Sequence, residues 1–274
     1  MASPRGWFDP PEPEAEEAEG GAAFAPRRLD GPAWLALGAG GAVAAVCFAL
    51  PALRFALSYL TILIHELGHA IVGWLFGYPS IPAFDFAYGG GITTAQGRSR
   101  LLLGVVYALF AGLMVLYRRN RLTLAVLLAG LGAFALLAHT GYHRALILFM
   151  GHGTELAIAG VFLYRAMSGA TVAHAAERPL YAACGLFIVL SDIAFAHQLW
   201  ANPGARALYE QAKGGGHWMD FSQLAEGYLW IGLPTVAFLF LVCCLATVAV
   251  SFLVHRYHEW VFASLARLVQ RMPE

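Results

Sequence analysis

The sequence predicts an all-α bundle of membrane-spanning helices, about six or seven of them. Three observations carry this expectation. Of the 274 residues, 59% are hydrophobic, only 12% are charged, and the apolar residues gather into long runs. Soluble domains carry about 25% charged residues, and a helix that crosses a bilayer needs ~20 mostly apolar ones. Basic and acidic residues balance at 17 each, so no basic face for nucleic acid is expected. The lipid bilayer is the expected surrounding.

The chain opens on a polar segment. Pro10, Pro11 and Pro13 interleave with Glu12, Glu14, Glu16, Glu17 and Glu19. Residues 1–30 bury too little apolar area to fold and predict a disordered tail. The first apolar segment is expected to act as an uncleaved signal anchor. Seven runs read as spans, at roughly 33–53, 55–77, 101–117, 121–139, 145–167, 180–200 and 228–254. The first two meet at Pro51 and Arg54, as a tight turn or as one broken, re-entrant element. Arg118, Arg119, Asn120 and Arg121 divide the third from the fourth, where charges belong at an interface. Residues 31–254 thus form one transmembrane domain. Beyond it, residues 255–274 set Trp260, Phe262, Leu265 and Leu268 against Arg256, Arg267 and Arg271, the pattern of an amphipathic helix on the membrane surface.

With seven crossings, nine basic residues fall on one side and seven on the other, a balance that sets no orientation. Lys213 is the single lysine among many arginines, and Ala and Gly abound. That composition suits a high-GC bacterial source, so a bacterial inner (cell) membrane is the expected location. The four cysteines lie in apolar runs with no C-x-x-C pair, and read as small hydrophobes.

Two connecting segments are long enough to hold structure. In 78–100, Gly89-Gly90-Gly91-Ile92-Thr93-Thr94 predicts a short strand or hairpin, because β-branched residues follow a glycine run. In 201–226, Gly214-Gly215-Gly216-His217-Trp218 predicts a flexible, solvated loop, with Asp220 in it.

The chemistry lies in the second span, in His65-Glu66-Leu67-Gly68-His69. Histidines four apart stand one turn apart on one helix face, so both imidazoles can ligate one metal ion. Glu66 projects beside that ion and is the candidate general base for a polarised water. Gly68 keeps the helix face thin, which leaves room for substrate. This is the H-E-x-x-H pattern of zinc metalloproteases. At ~1.5 Å per residue, His65 lies roughly 15 Å into its span, near the middle of the bilayer. Three ionisable groups at that depth persist only against a metal, a partner or water.

HELGHA inside a membrane helix, followed by a glycine-rich loop and further spans, resembles the site-2 protease family of intramembrane zinc metallopeptidases. The resemblance covers roughly residues 55–167. It implies zinc as cofactor, a membrane protein as substrate, His65 and His69 as ligands, and Glu66 as the catalytic base. It also implies that Gly90, Gly91, Ile92, Thr93 and Thr94 form an edge on which an extended substrate pairs. The family takes its third ligand from an Asp before Gly in a later helix. The only Asp-Gly here, Asp30-Gly31, precedes the motif, so the third ligand is expected elsewhere.

Glu155 and His152 lead for that role. They share a helix face, lie as deep as His65, and are flanked by Gly151 and Gly153, which admit a close neighbour. Asp192, with His197 nearby, is the reserve. His139 and His143 are also four apart but sit near a membrane edge beside Gly141 and Arg144. His217, Trp218 and Asp220 read as a solvated loop, or else as a gate. The function these residues imply is hydrolysis of a peptide bond in or near a transmembrane segment. A non-catalytic membrane scaffold of the same fold is one rival. A metal-ion transporter is the other, and would string its polar residues along several helices.

Overall fold

The computed structural model describes residues 26–85, 90–211 and 219–270. The acidic tail lies outside them apart from 26–30, as do His217 and Trp218. Among the described residues the chain runs α1 (Gly31–Ala49), α2 (Pro51–Leu75), β1 (Ser80–Asp85), β2 (Gly90–Ala95), α3 (Arg100–Leu116) and α4 (Arg121–Ala138). It continues with α5 (Tyr142–Ser168), α6 (Glu177–Ala201), α7 (Pro203–Glu210), α8 (Asp220–Gln223), a π-helical turn (Leu224–Leu229) and α9 (Leu233–Gln270). Six of these helices are long and apolar enough to cross a membrane, and α3, at 17 residues, is a shorter apolar one. The architecture is an all-α bundle with one small hairpin.

Local chemistry sets the helix ends. Asp30, Ser99, Asn120 and Asn202 cap α1, α3, α4 and α7, each accepting a backbone N–H from the first turn. Pro51 opens α2 at a position where its missing N–H costs nothing. Gly169 ends α5 with φ +67°, a conformation glycine adopts without strain. The last span starts at Leu233 rather than 228, because Leu224–Leu229 form the π turn and Trp230 takes φ +57°. Residues 255–270 continue α9 without a break, so they form no separate helix.

The expected hairpin is present. β1 and β2 pair antiparallel from Ser80↔Ala95 to Asp85↔Gly90. Pro82, which has no N–H, sits in β1. The Trp74 indole donates to the Ser80 carbonyl at 2.7 Å and ties the hairpin to the end of α2.

Helix α5 is the centre of the bundle, packed on α2, α6 and α9. One core joins Leu156 of α5, Ala196 and Leu199 of α6, Phe221 of α8 and Phe240 of α9. A second joins Ile64 of α2 to Ala159, Ile188 and Val189. Close approach of α2 and α5 depends on Gly68, where a Cβ would overlap the Met150 carbonyl and Thr154. Gly68 therefore serves helix packing rather than space for substrate.

Candidate metal centre

His65 and His69 project together from α2. Their Nε2 atoms approach to 2.9 Å. Asp220 Oδ2 stands 3.1 Å from His65 Nε2 and 3.0 Å from His69 Nε2. The three donors form a nearly equilateral triangle. A tetrahedral zinc ion with ligands at ~2.0–2.1 Å separates its donors by roughly 3.3–3.4 Å, so the triangle needs to open by only a few tenths of an ångström.

The far side of each ring is also arranged for ligation. His69 Nδ1–H donates to the Ile147 carbonyl at 2.8 Å. His65 Nδ1–H points to Glu155 Oε2 at 3.5 Å. Metal-binding histidines use their second nitrogen in this way, which fixes the tautomer that frees Nε2 for the ion. A Cβ on Gly151 would lie 2.5 Å from both Nε2 atoms, so α5 can back the two rings only with glycine there.

Asp220 reaches the rings because α8 is anchored from behind. Phe221 is wholly buried, and Leu224 and Ala225 lie in the same core as Phe240 and Leu156. The Phe221 N–H donates to the Tyr209 hydroxyl at 3.3 Å. Burial alone would raise the Asp220 carboxyl, but hydrogen bonds from His65 and His69 outweigh it and hold the group below the usual carboxylate range. Burial, with the charge of Asp220, pushes the Tyr209 hydroxyl up, so it stays protonated.

The structure places Glu155 beside His65, at its Nδ1 rather than its Nε2, with the His152 ring edge-on to the His65 ring and Asp192 beside His152. Glu155 Oε2 accepts from His152 Nδ1–H at 2.7 Å, and Asp192 Oδ1 lies 3.8 Å from the same nitrogen. The His152 ring is enclosed by Phe195, Phe221 and Phe240, with centroids 4.7–4.9 Å away. His65, His152 and Glu155 bring three donor atoms together, as His65, His69 and Asp220 do. Only the second set engages both histidines of the motif. The third donor that meets His65 and His69 is therefore Asp220, a residue expected in a solvated loop. Its signal was the spacing of Phe221, Leu224 and Ala225, which marks an apolar helix face that must pack.

Glu66 is 8% exposed and is held by β2. The Thr93 hydroxyl donates to Glu66 Oε2 at 2.6 Å, and a Cβ on Gly91 would overlap the glutamate side chain. Gly90, Gly91, Ile92 and Thr93 line a cavity of about 610 Å³ together with His65, Glu66, His69 and Asp220. Its apolar walls include Ile62, Ile147, Leu148, Phe195 and Met219. Thr94 is not among its lining residues: its side chain is exposed and its hydroxyl faces the Ile81 carbonyl at 3.5 Å. His139 and His143 lie apart from the centre, bonded to Tyr107 and Tyr78 at 3.2 and 2.9 Å. His197 packs against Trp200.

Comparison of the chain with protein-family models, with curated proteins and with solved structures finds no match in any of the three.

Proposed function

We propose that this chain is an intramembrane zinc metalloprotease of the site-2 type, acting on a peptide bond in or near the membrane-spanning part of a protein substrate. The observation that carries the proposal is the triangle of His65 Nε2, His69 Nε2 and Asp220 Oδ2, with both Nδ1 atoms engaged elsewhere and Glu66 lining the same cavity. Two imidazoles and one carboxylate, with a cavity in front of them, are the donor set of a catalytic zinc that keeps a position open.

A bound zinc ion supplies Lewis acidity to a scissile carbonyl and to water. The chain's own residues do the rest. The Glu66 carboxylate takes the proton of the attacking water and passes it to the leaving amine. Thr93 and Gly91 hold that carboxylate in place. The cavity side of β2 offers an edge on which an extended substrate pairs. Glu155 and Ile147 keep the rings of His65 and His69 aimed.

His69, Asp220 and Glu155 bond directly to His65, and His152 bonds to Glu155, so the polar groups form one cluster around His65, which favours hydrolysis over ion transport. The membrane we propose is that of a bacterial cell, on composition. The proposal is tested by comparing the membrane proteomes of cells carrying the wild type and Glu66→Gln. Uncleaved membrane proteins should accumulate in the variant. Identical proteomes would favour a scaffold that keeps the metal but has no hydrolytic role.

A further inference from the structure

Attack on a peptide bond drives negative charge onto the carbonyl oxygen. In a site shielded from water, a fixed donor aimed at that oxygen is usually the largest single contribution to rate. Most polar side chains around the cavity are already committed. The Thr93 hydroxyl donates to Glu66 at 2.6 Å, and the Ser80 hydroxyl donates to the Tyr78 carbonyl at 2.9 Å. His65 and His69 give their Nδ1–H groups to Glu155 and Ile147 and turn Nε2 toward Asp220. His152 gives its Nδ1–H to Glu155, and Gln223 is engaged as well.

Tyr209 differs from these. It lines the same cavity as His65, Glu66, His69 and Asp220. Its hydroxyl accepts the Phe221 N–H at 3.3 Å, which uses a lone pair, and its own O–H has no acceptor among the described residues. Phe221 follows Asp220 in the chain, so this bond holds the hydroxyl one peptide unit from the carboxylate of the donor triangle. The ring is fixed as well. It meets Phe195 edge-on at 5.7 Å and packs on the core of Phe221, Phe240 and Leu156. Asn202 caps the helix that carries it, and Arg206 ties that helix to the Leu199 and Trp200 carbonyls at 3.0 and 2.8 Å. A phenol keeps its proton at neutral pH and can donate while it accepts.

Resting on the proteolysis reading, we propose that the Tyr209 O–H donates a hydrogen bond to the oxygen of the scissile carbonyl as that oxygen becomes an oxyanion. The water oxygen bonds to the carbonyl carbon while Glu66 takes its proton, and the π pair of the C=O bond moves onto the carbonyl oxygen. Tyr209 binds that oxygen without giving up its own proton. The pair then returns as C=O re-forms, the C–N bond breaks, and the leaving nitrogen takes the proton from Glu66. Tyr209 thus favours the tetrahedral state over the flat amide, which is the condition for raising kcat rather than lowering KM. In this arrangement β2 positions the base and α7 positions the oxyanion donor.

Tyr209→Phe removes the hydroxyl and keeps the ring. The probe is a quenched-fluorescent peptide of Leu and Ala in detergent micelles, with its phosphinic isostere as a mimic of the tetrahedral state. In Tyr209→Phe, kcat should fall by at least ~10²-fold, with KM and zinc content unchanged. Affinity for the phosphinic peptide, measured by calorimetry, should fall by a similar factor. In a Glu66→Gln background, which holds the amide peptide uncleaved, that peptide should bind equally well with and without the hydroxyl. Unchanged kcat in Tyr209→Phe would overturn the inference. So would a loss of zinc that accounts for the lost rate, because the hydroxyl would then act only by holding Phe221 and Asp220. An equal loss of affinity for both peptides would overturn it too. Cleavage by Glu66→Gln as fast as by the wild type is a separate outcome, which sinks the proteolysis reading and this inference with it.

Discussion

Gly151→Ala is the substitution that most sharply probes the donor triangle. The added Cβ would lie 2.5 Å from the Nε2 atoms of both His65 and His69, whereas ordinary contact begins at 3.4 Å. Both rings must therefore retreat by about 0.9 Å, or α5 must move away from α2. Neither is easy. The rings are held from behind by Ile147 and Glu155, and Gly68 seats α2 directly on Met150. Metal sites accept ligand displacements of only ~0.2 Å. Zinc affinity should fall by at least the ~10–100-fold seen when an orienting partner is lost. The helix itself should gain, since Ala is more favourable than Gly by ~1 kcal/mol in a helix interior. The expected result is a folded protein with little zinc. Elemental analysis after dialysis against a weak chelator measures the metal, and thermal unfolding measures the fold. Gly132→Ala, where a Cβ meets nothing within 4 Å, is the control. A Gly151→Ala protein that holds zinc as firmly as the wild type would refute the triangle.

Other substitutions separate the roles around it. Glu66→Gln should keep zinc and fold but lower hydrolysis by at least ~10²-fold, read as uncleaved substrate in reconstituted vesicles. Thr93→Val removes the donor to Glu66 and should slow hydrolysis about tenfold with zinc unchanged, while Thr93→Ser restores it. If Ser and Val behave alike, the hydroxyl has no part in holding Glu66. Glu155→Gln should weaken zinc by ~10–100-fold, measured by competition with a chelating dye, yet still bind it at saturation. Complete loss would make Glu155 a ligand in its own right.

How much of this was legible in the sequence follows from the range of the forces involved. The motif helix and the apolar spans are local patterns, and α2 carries His65, Glu66 and His69 on the faces their spacing predicts. The hairpin was legible because Gly-Gly followed by Ile-Thr-Thr is a local turn-and-strand signal. The role of Asp220 was not, because it lies more than 150 positions from both histidines and depends on how α8 docks. The glycine run before it suggested solvent, while Phe221, Leu224 and Ala225 pointed to the core. Depth along a helix brought Glu155 and His152 to His65 but did not show which ring nitrogen they would meet.

The most direct test of the central claim is the zinc content of the purified protein and of five variants. The wild type should hold about one zinc per chain. His65→Ala, His69→Ala and Asp220→Ala should each lose it, while Asp192→Ala and His152→Ala keep it at saturating metal. Zinc that survives Asp220→Ala but is lost with His152→Ala or Asp192→Ala would contradict the assignment and move the centre to the Nδ1 side of His65.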